Sequence, residues 1–369
     1  MNFILPYSKI PAHPKLLCDI EMAGQRLCQK LKNFDISALD ISEYSKRYFG
    51  EMLTDLKACI QLRGYILAWA LSSLPDQDYL KYCFVDYGGG TGILAILAKE
   101  LGLGTVIYND IYKISCQDSQ MIADKVGNKA DFVVHGDIDN LIQFFNSSKL
   151  KCDVIASYDV IEHIYRTEIF LKKLYLLNPG PLTVMMSSGA NDLNPRQKRL
   201  LTKIHLEREY YDRKPRRGVK PSDCLRAHLT VRREMIKKYL DEISLSLDTA
   251  QVEELAKNTR GLIEPDIRLY VDQYLQNGTF PSFPDHPTNT CDPFNGNWAE
   301  KLMNPYKLAE VLHLNGFDKV EVLPGYYGDF SNPIKRLLGQ VLNILIFTFR
   351  KKGIVFSPFF SLYAVKRSK

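Results

Sequence analysis

At 369 residues, with 46% hydrophobic and 24% charged side chains, the chain carries enough apolar surface for one core with large additions, and this excludes a disordered or low-complexity protein. A net charge of +6 is too small to specify a nucleic-acid binder, and no apolar run approaches the ~20 residues that a membrane span needs. No repeat is present, so solenoids are excluded as well.

The eight cysteines are scattered without a C-x-x-C pair, the usage of a reducing cytosol. The opening MNFILPYSKIPAHPK breaks its short apolar piece at Pro6 and Pro11 and lacks the charged start of a signal peptide. A cytoplasmic protein is expected.

Residues 1–78 form an N-terminal helical cap. From Asp40 to Leu74, apolar residues such as Ile41, Tyr44, Tyr48, Phe49, Met52 and Leu56 recur at three- and four-residue steps, with Asp40 and Glu43 spaced as a capping box. Gly50 and Gly64 argue for two helices rather than one. Between residues 79 and 189 the pattern changes to short β-rich runs, YCFVDY, TVIYND, DFVVHGD, CDVIASYD and PLTVMMSS, separated by helical stretches. Such alternation predicts parallel strands with right-handed helical crossovers. Residues 190–300 interrupt the rhythm with basic helical segments and then a Pro- and Asn-rich stretch, read as an insertion after the fifth strand that shapes a binding site. Residues 301–369 supply a last helix over 305–314 and two closing strands in FDKVEVL and FSLYAVKR, separated by an apolar insertion too long for a hairpin loop.

The segment VDYGGGTG places Asp86, Gly88, Gly90 and Gly92 in D-x-G-x-G-x-G spacing at a strand-to-helix turn. Glycine lets the backbone turn tightly and approach a ligand while the next helix starts beneath it. A dinucleotide fingerprint requires G-x-G-x-x-G, and counting from Gly88 the third glycine is Ile93. Asp110 ends the second strand, the position from which nucleotide-binding folds offer a carboxylate to ribose hydroxyls. Asp137 and Ile138 follow the third strand.

In these motifs the chain resembles the class I, Rossmann-like S-adenosylmethionine-dependent methyltransferases, over about residues 80–190 and the last two strands. The resemblance implies an α/β fold with a mostly parallel seven-stranded sheet, preceded by a helical region and carrying a large helical and irregular insertion after the fifth strand. It implies S-adenosyl-L-methionine as cofactor and transfer of its methyl group as the activity. Asp137 and Ile138 are then the pair that meets the adenine.

The fourth strand leads into SYDVIEHIY, which looks like the D-x-x-E-H element of small-molecule and ubiquinone-pathway O-methyltransferases. His163 is the candidate general base and Asp159 the candidate group that orients the imidazole or the acceptor; Glu162 suits a helix start through the dipole. Structural capping by Glu162 and His163 is the competing reading. A related E-x-x-E-H element holds a metal in small-RNA 2′-O-methyltransferases. This chain departs from it with Asp159 for Glu and Ile164 for the adjacent His, so a cation would need His205 or His228, and no metal is assigned. The basic insertion offers Arg196, Arg199, Arg213, Arg216 and Arg217 to phosphate or carboxylate, or a solvated face. The loop DHPTNTCDPFNGNW, with Asn289, Thr290, Asp292, Asn295, Asn297 and Trp298, reads as acceptor recognition or as a structural turn.

The expected acceptor is an oxygen of a small or lipid-linked metabolite. An RNA methyltransferase and a non-catalytic binding protein that keeps the donor pocket are the alternatives. Residues 333–352 hold an apolar stretch on the order of a dozen residues, bracketed by Lys335 and Arg336 and by Arg350, Lys351 and Lys352. It is apolar on nearly every side, which reads as a buried lid; its basic brackets also suit peripheral contact with a membrane surface, with Leu337, Leu338, Leu345, Ile346, Phe347 and Phe349 entering the acyl boundary.

Overall fold

The computed structural model describes residue 3 and residues 8–75, 78–214, 223–279 and 288–367. It divides into two compact units, residues 1–161, 168–194 and 304–369 in the first and residues 162–167 and 195–303 in the second.

The first unit opens with α1 (Pro14–Leu31), α2 (Glu43–Thr54) and α3 (Leu56–Leu71). His13 caps α1 ahead of Pro14, and Leu16, Ile20, Ala23, Leu27 and Leu31 bury one stripe of it. The start of α2 differs from the sequence expectation. Ser42, not Asp40, is the N-cap and accepts from the Ser45 amide, because its hydroxyl sits one residue before the first helical turn. The helices part at Asp55, while Gly50 and Gly64 lie inside them. A break at Asp55 needs no glycine, since its φ of −121° is open to any residue.

The core alternates β1 (Cys83–Tyr87), α4 (Ile93–Leu101), β2 (Thr105–Asp110), α5 (Lys113–Val126), β3 (Phe132–His135), α6 (Ile138–Ser147), β4 (Val154–Tyr158), α7 (Thr167–Leu174) and β5 (Leu182–Ser188). After the second unit follow α12 (Pro305–Leu314), β6 (Lys319–Pro324), α13 (Pro333–Phe349), a 3₁₀ segment (Arg350–Phe356) and β7 (Phe360–Lys366). The seven strands form one sheet in the order β3-β2-β1-β4-β5-β7-β6, parallel except where β7 runs antiparallel to β5 and β6. This is the mostly parallel seven-stranded α/β sheet expected. Both faces of β1 are buried, which is why CFVDY reads as a continuous apolar run instead of an alternation.

Strand order reverses between β1 and β4, so the crevice for a ligand opens at their carboxyl ends. Because β7 alone is antiparallel, residues 325–359 leave β6 and enter β7 at that same carboxyl edge. They do not form the buried lid. In α13 only Gly339, Asn343 and Ile346 are buried. No helix among the described residues is long and apolar enough to cross a membrane.

The second unit holds α8 (Pro195–Tyr210), α9 (His228–Glu242), α10 (Thr249–Asn258) and α11 (Glu264–Asn277). Its apolar core gathers Leu229, Ile236, Leu255, Ile267 and Val271. Beside it, the fully buried Arg232 forms an ion pair with Glu209, which Arg260 and the Thr290 hydroxyl also engage. Paired and bonded on all sides, these charges tolerate burial.

Candidate functional site

The residues expected on the donor side lie in the first unit, at the carboxyl ends of β1, β2 and β3. Gly88, Gly90 and Gly92 have φ of +64°, +55° and +78°, a left-handed conformation that L side chains rarely adopt. Gly92 is the N-cap of α4. The space around the loop is uneven. A Cβ on Gly89 would lie 2.6 Å from the Tyr108 ring and 2.7 Å from the Asp86 carboxylate, whereas one on Gly90 would meet nothing within 4 Å. Gly90 therefore borders open space, while Gly89 is pressed onto the sheet.

Asp110 is joined directly to this loop. The Gly90 amide donates to Asp110 Oδ2 at 3.0 Å, the Tyr112 amide donates to Oδ1 at 2.8 Å, and the Tyr108 hydroxyl donates to the Gly90 carbonyl at 2.6 Å. The loop conformation and the carboxylate position are thus set together. The Gly136 amide donates to the Asp110 carbonyl and brings the end of β3 alongside β2. Asp137 follows as the N-cap of α6, in a capping box with Asn140, its Oδ1 accepting from Asp139 and Asn140. Ile138 is buried, and Tyr87 packs its ring 5.0 Å from Phe170.

Asp86 plays an interior part. It is 2% exposed and accepts from the Ala95 amide in the first turn of α4, tying strand to helix across the glycine loop. Burial pushes its carboxyl up to about 7, partly offset by the Ala95 amide and the Arg63 guanidinium. Arg63, on α3, was not among the sequence candidates. Its guanidinium lies 4.9 Å over the Tyr158 ring, and its charge is coupled to both Asp86 and Asp159. The available signal was a lone arginine in a helix otherwise buried on almost every side.

Asp159 is at the end of β4 with φ of +54°, and its Oδ1 accepts from the Gly189 amide at 2.9 Å, clamping the ends of β4 and β5. A non-glycine residue held left-handed at a strand end stores about 1 kcal/mol or more, as such sites often do.

In the second unit, His163 closes a 3₁₀ turn (Ile161–His163). Its Nδ1 is 3.0 Å from the Trp298 carbonyl and its Nε2 3.7 Å from Glu300 Oε1. A carbonyl oxygen only accepts, so Nδ1 carries a proton, and in the neutral ring Nε2 keeps the lone pair. Trp298 and Glu300 flank the two ring nitrogens of the imidazole, with Glu300 itself at φ +61°. Glu162 is fully buried, and its carbonyl accepts from the Lys301 amide.

The polar residues of the 288–298 loop are used internally. Asn289 exchanges two hydrogen bonds with the Leu302 backbone, Asp292 accepts from Phe294, Cys224 and Asn295, and the Trp298 indole donates to the Tyr165 carbonyl. The loop is a built turn that carries the carbonyl holding His163. His205 is fully buried between Thr288 and the Glu300 carbonyl. His228 is bonded to Thr290, and burial with nearby Arg232 drops its pKa to about 3. Among the described residues no group of three or more His, Cys, Asp or Glu is placed to hold a metal ion. Arg196 and Arg199 are exposed on α8, Arg213 donates to the Cys224 carbonyl, and Arg216 and Arg217 lie outside the described residues.

No protein-family model matches the chain, and no curated protein does. Among solved structures it is similar to the plantazolicin methyltransferase BamL in complex with a triazolic desmethylPZN analog and SAH, at 10% identity and a TM-score of 0.40, covering 96% of this chain and 100% of that one. It is similar also to the CurJ carbon methyltransferase, at 12% identity and a TM-score of 0.39 over 95% of this chain and 67% of that one. A SAM-dependent methyltransferase from Archaeoglobus fulgidus matches at 15% identity and a TM-score of 0.37, covering 86% of this chain and 99% of that one. Likeness at this level assigns neither donor nor acceptor.

Proposed function

We propose that the chain transfers a methyl group from S-adenosylmethionine to an oxygen of a small or lipid-linked metabolite. The observation that carries this reading is the glycine loop. Its backbone opens at Gly90 onto space where a Cβ meets nothing, and the Asp110 carboxylate is fastened to the same residue. An adenosyl group needs such a pairing, with bare backbone beside the ligand and a carboxylate at the end of the next strand for the ribose hydroxyls. Asp137 and Ile138, beside Asp110 in the fold, suit the adenine.

When bound, the donor supplies an electrophilic methyl group on a sulfonium. The residues of the chain have the remaining tasks. Asp86 holds the loop to α4 from beneath, and Asp110 fixes the donor's position. His163 takes the acceptor's proton on Nε2, the nitrogen opposite its bond to the Trp298 carbonyl. Glu300 Oε1 stands 3.7 Å from the same nitrogen.

The test is transfer from methyl-labelled donor into a cell extract, read by mass spectrometry, with wild type and His163→Ala in parallel. The expected result is a labelled product with wild type, formed about a hundredfold more slowly with His163→Ala at unchanged donor affinity. Donor affinity lost together with turnover would remove His163 from the proton step, and absence of donor binding by the wild type would refute the reading as a whole.

A further inference from the structure

The structure leaves an apolar face uncovered on α13. Ile334, Leu337, Leu338, Val341 and Ile344 recur at the spacing of a single helical stripe, and they are 77%, 65%, 50%, 48% and 51% exposed. The opposite stripe, Gly339, Asn343 and Ile346, is the packed one. Asn343 fastens it by exchanging two 2.8 Å hydrogen bonds with the Tyr327 backbone. The outward stripe therefore cannot turn inward without breaking a buried amide pair. An ordinary surface helix turns polar residues to water, and this one turns leucine, isoleucine and valine.

The surroundings specify what covers it. Lys335, Arg336, Arg350, Lys351 and Lys352 flank the stripe, all exposed, and the chain has no acidic residue after Asp329. Asp329 itself is engaged by Lys57 and Gln61. A second copy of the chain would bring the same five cations against these, so like charge opposes that occupant. Anionic lipid headgroups neutralise them while the acyl boundary takes the stripe. At the end of α13 lies a pocket of about 460 Å³, lined by Leu193, Tyr306, Phe349 and Phe356 together with Lys351 and Lys352. With 17 residues, α13 is about 26 Å long, short of the ~30 Å hydrocarbon core.

We infer that α13 and the following 3₁₀ segment dock the protein on an anionic membrane surface, lying in the interface with the Ile334–Ile344 stripe buried. This inference is independent of the methyl-transfer reading. Residues 325–359 leave β6 and enter β7 at the carboxyl edge of the sheet.

Flotation with the full chain tests it, using vesicles of phosphatidylcholine alone and of phosphatidylcholine with phosphatidylglycerol, at low and high salt. Wild type is expected to float with the anionic vesicles at low salt and to stay down with neutral ones. Each basic residue near an anionic surface contributes about fivefold in partitioning. Arg350→Glu/Lys351→Glu is thus expected to lower recovery more than tenfold, and Leu338→Glu/Val341→Glu to abolish it. Both pairs are exposed, so thermal unfolding should match wild type and exclude a folding defect. Wild type remaining at the bottom with anionic vesicles at low salt would overturn the proposal, as would variants that float like wild type. A dimer on gel filtration that Leu338→Glu/Val341→Glu dissolves, without flotation of the wild type, would reassign the face to self-association.

Discussion

Gly90→Ala separates fold from donor binding because the protein itself leaves room for the added methyl. The new Cβ meets no protein atom within 4 Å, so no clash destabilises the chain. What remains is the left-handed backbone at φ +55°, which costs about 1–2 kcal/mol for an L residue. Gly102 is the matched control. It too is left-handed, at φ +95°, and open within 4 Å, but it ends α4 at the amino edge of the parallel strands. Both alanine variants should therefore lose about 1–2 kcal/mol of stability in urea titration. Only Gly90→Ala should weaken adenosylmethionine and adenosylhomocysteine in calorimetry, by tenfold or more, which corresponds to about 1.4 kcal/mol. Gly90→Ala binding donor as wild type does, with Gly102→Ala equal to it in stability, would refute the placement of the donor against the loop.

Two further outcomes follow from the same edge of the sheet. Asp110→Ala should weaken donor binding by about 1–3 kcal/mol through loss of the ribose acceptor, and calorimetry checks it; an unchanged Kd would separate Asp110 from the donor. Asp86→Asn should change the pH dependence of stability. The carboxyl titrates at about 7 when folded, against 3.8 as the ordinary value, so between these pH values the folded chain holds a proton that the unfolded chain has lost. Stability of wild type relative to Asp86→Asn should fall as pH rises from about 4 to 7 and level off above, by on the order of 4 kcal/mol in all. Denaturant titrations across pH would show no such slope if Asp86 were ionised in the fold.

The order of elements was legible because its signals are local. The central strands β1, β4 and β5 are buried apolar runs bounded by turns, and the crossover helices α4 and α5 end where Gly102 and Gly127 take a left-handed φ. The conformation of the glycine loop was legible for the same reason, since three alternate residues hold positive φ and glycine does so without strain. The His163 partners were not. Trp298 and Glu300 lie more than 130 residues away in sequence, and nothing in SYDVIEHIY indicates that a carbonyl from the 288–298 turn fixes its tautomer. Arg63 was hidden differently. A single arginine in an amphipathic pattern reads as solvated, and only the burial of α3 on most sides turns it toward Asp86 and Asp159.

The helix after β6 shows where periodicity stops being informative. A stretch that is apolar around its whole circumference predicts burial, yet burial needs a partner surface for each side, and apolar periodicity does not say which side has one. The deciding residues are not apolar. Gly339 lets the Tyr327 side chain approach to within 2.9 Å of where a Cβ would stand, and Asn343 satisfies the Tyr327 amide and carbonyl. Close backbone approach and a paired amide select the inner face, so Ile346 packs inward, and Ile334, Val341 and Ile344 join Leu337 and Leu338 outside. A glycine and an asparagine four residues apart in an otherwise apolar helix therefore mark its docked side, and the uncovered side opposite them is the one that must find its own solvent.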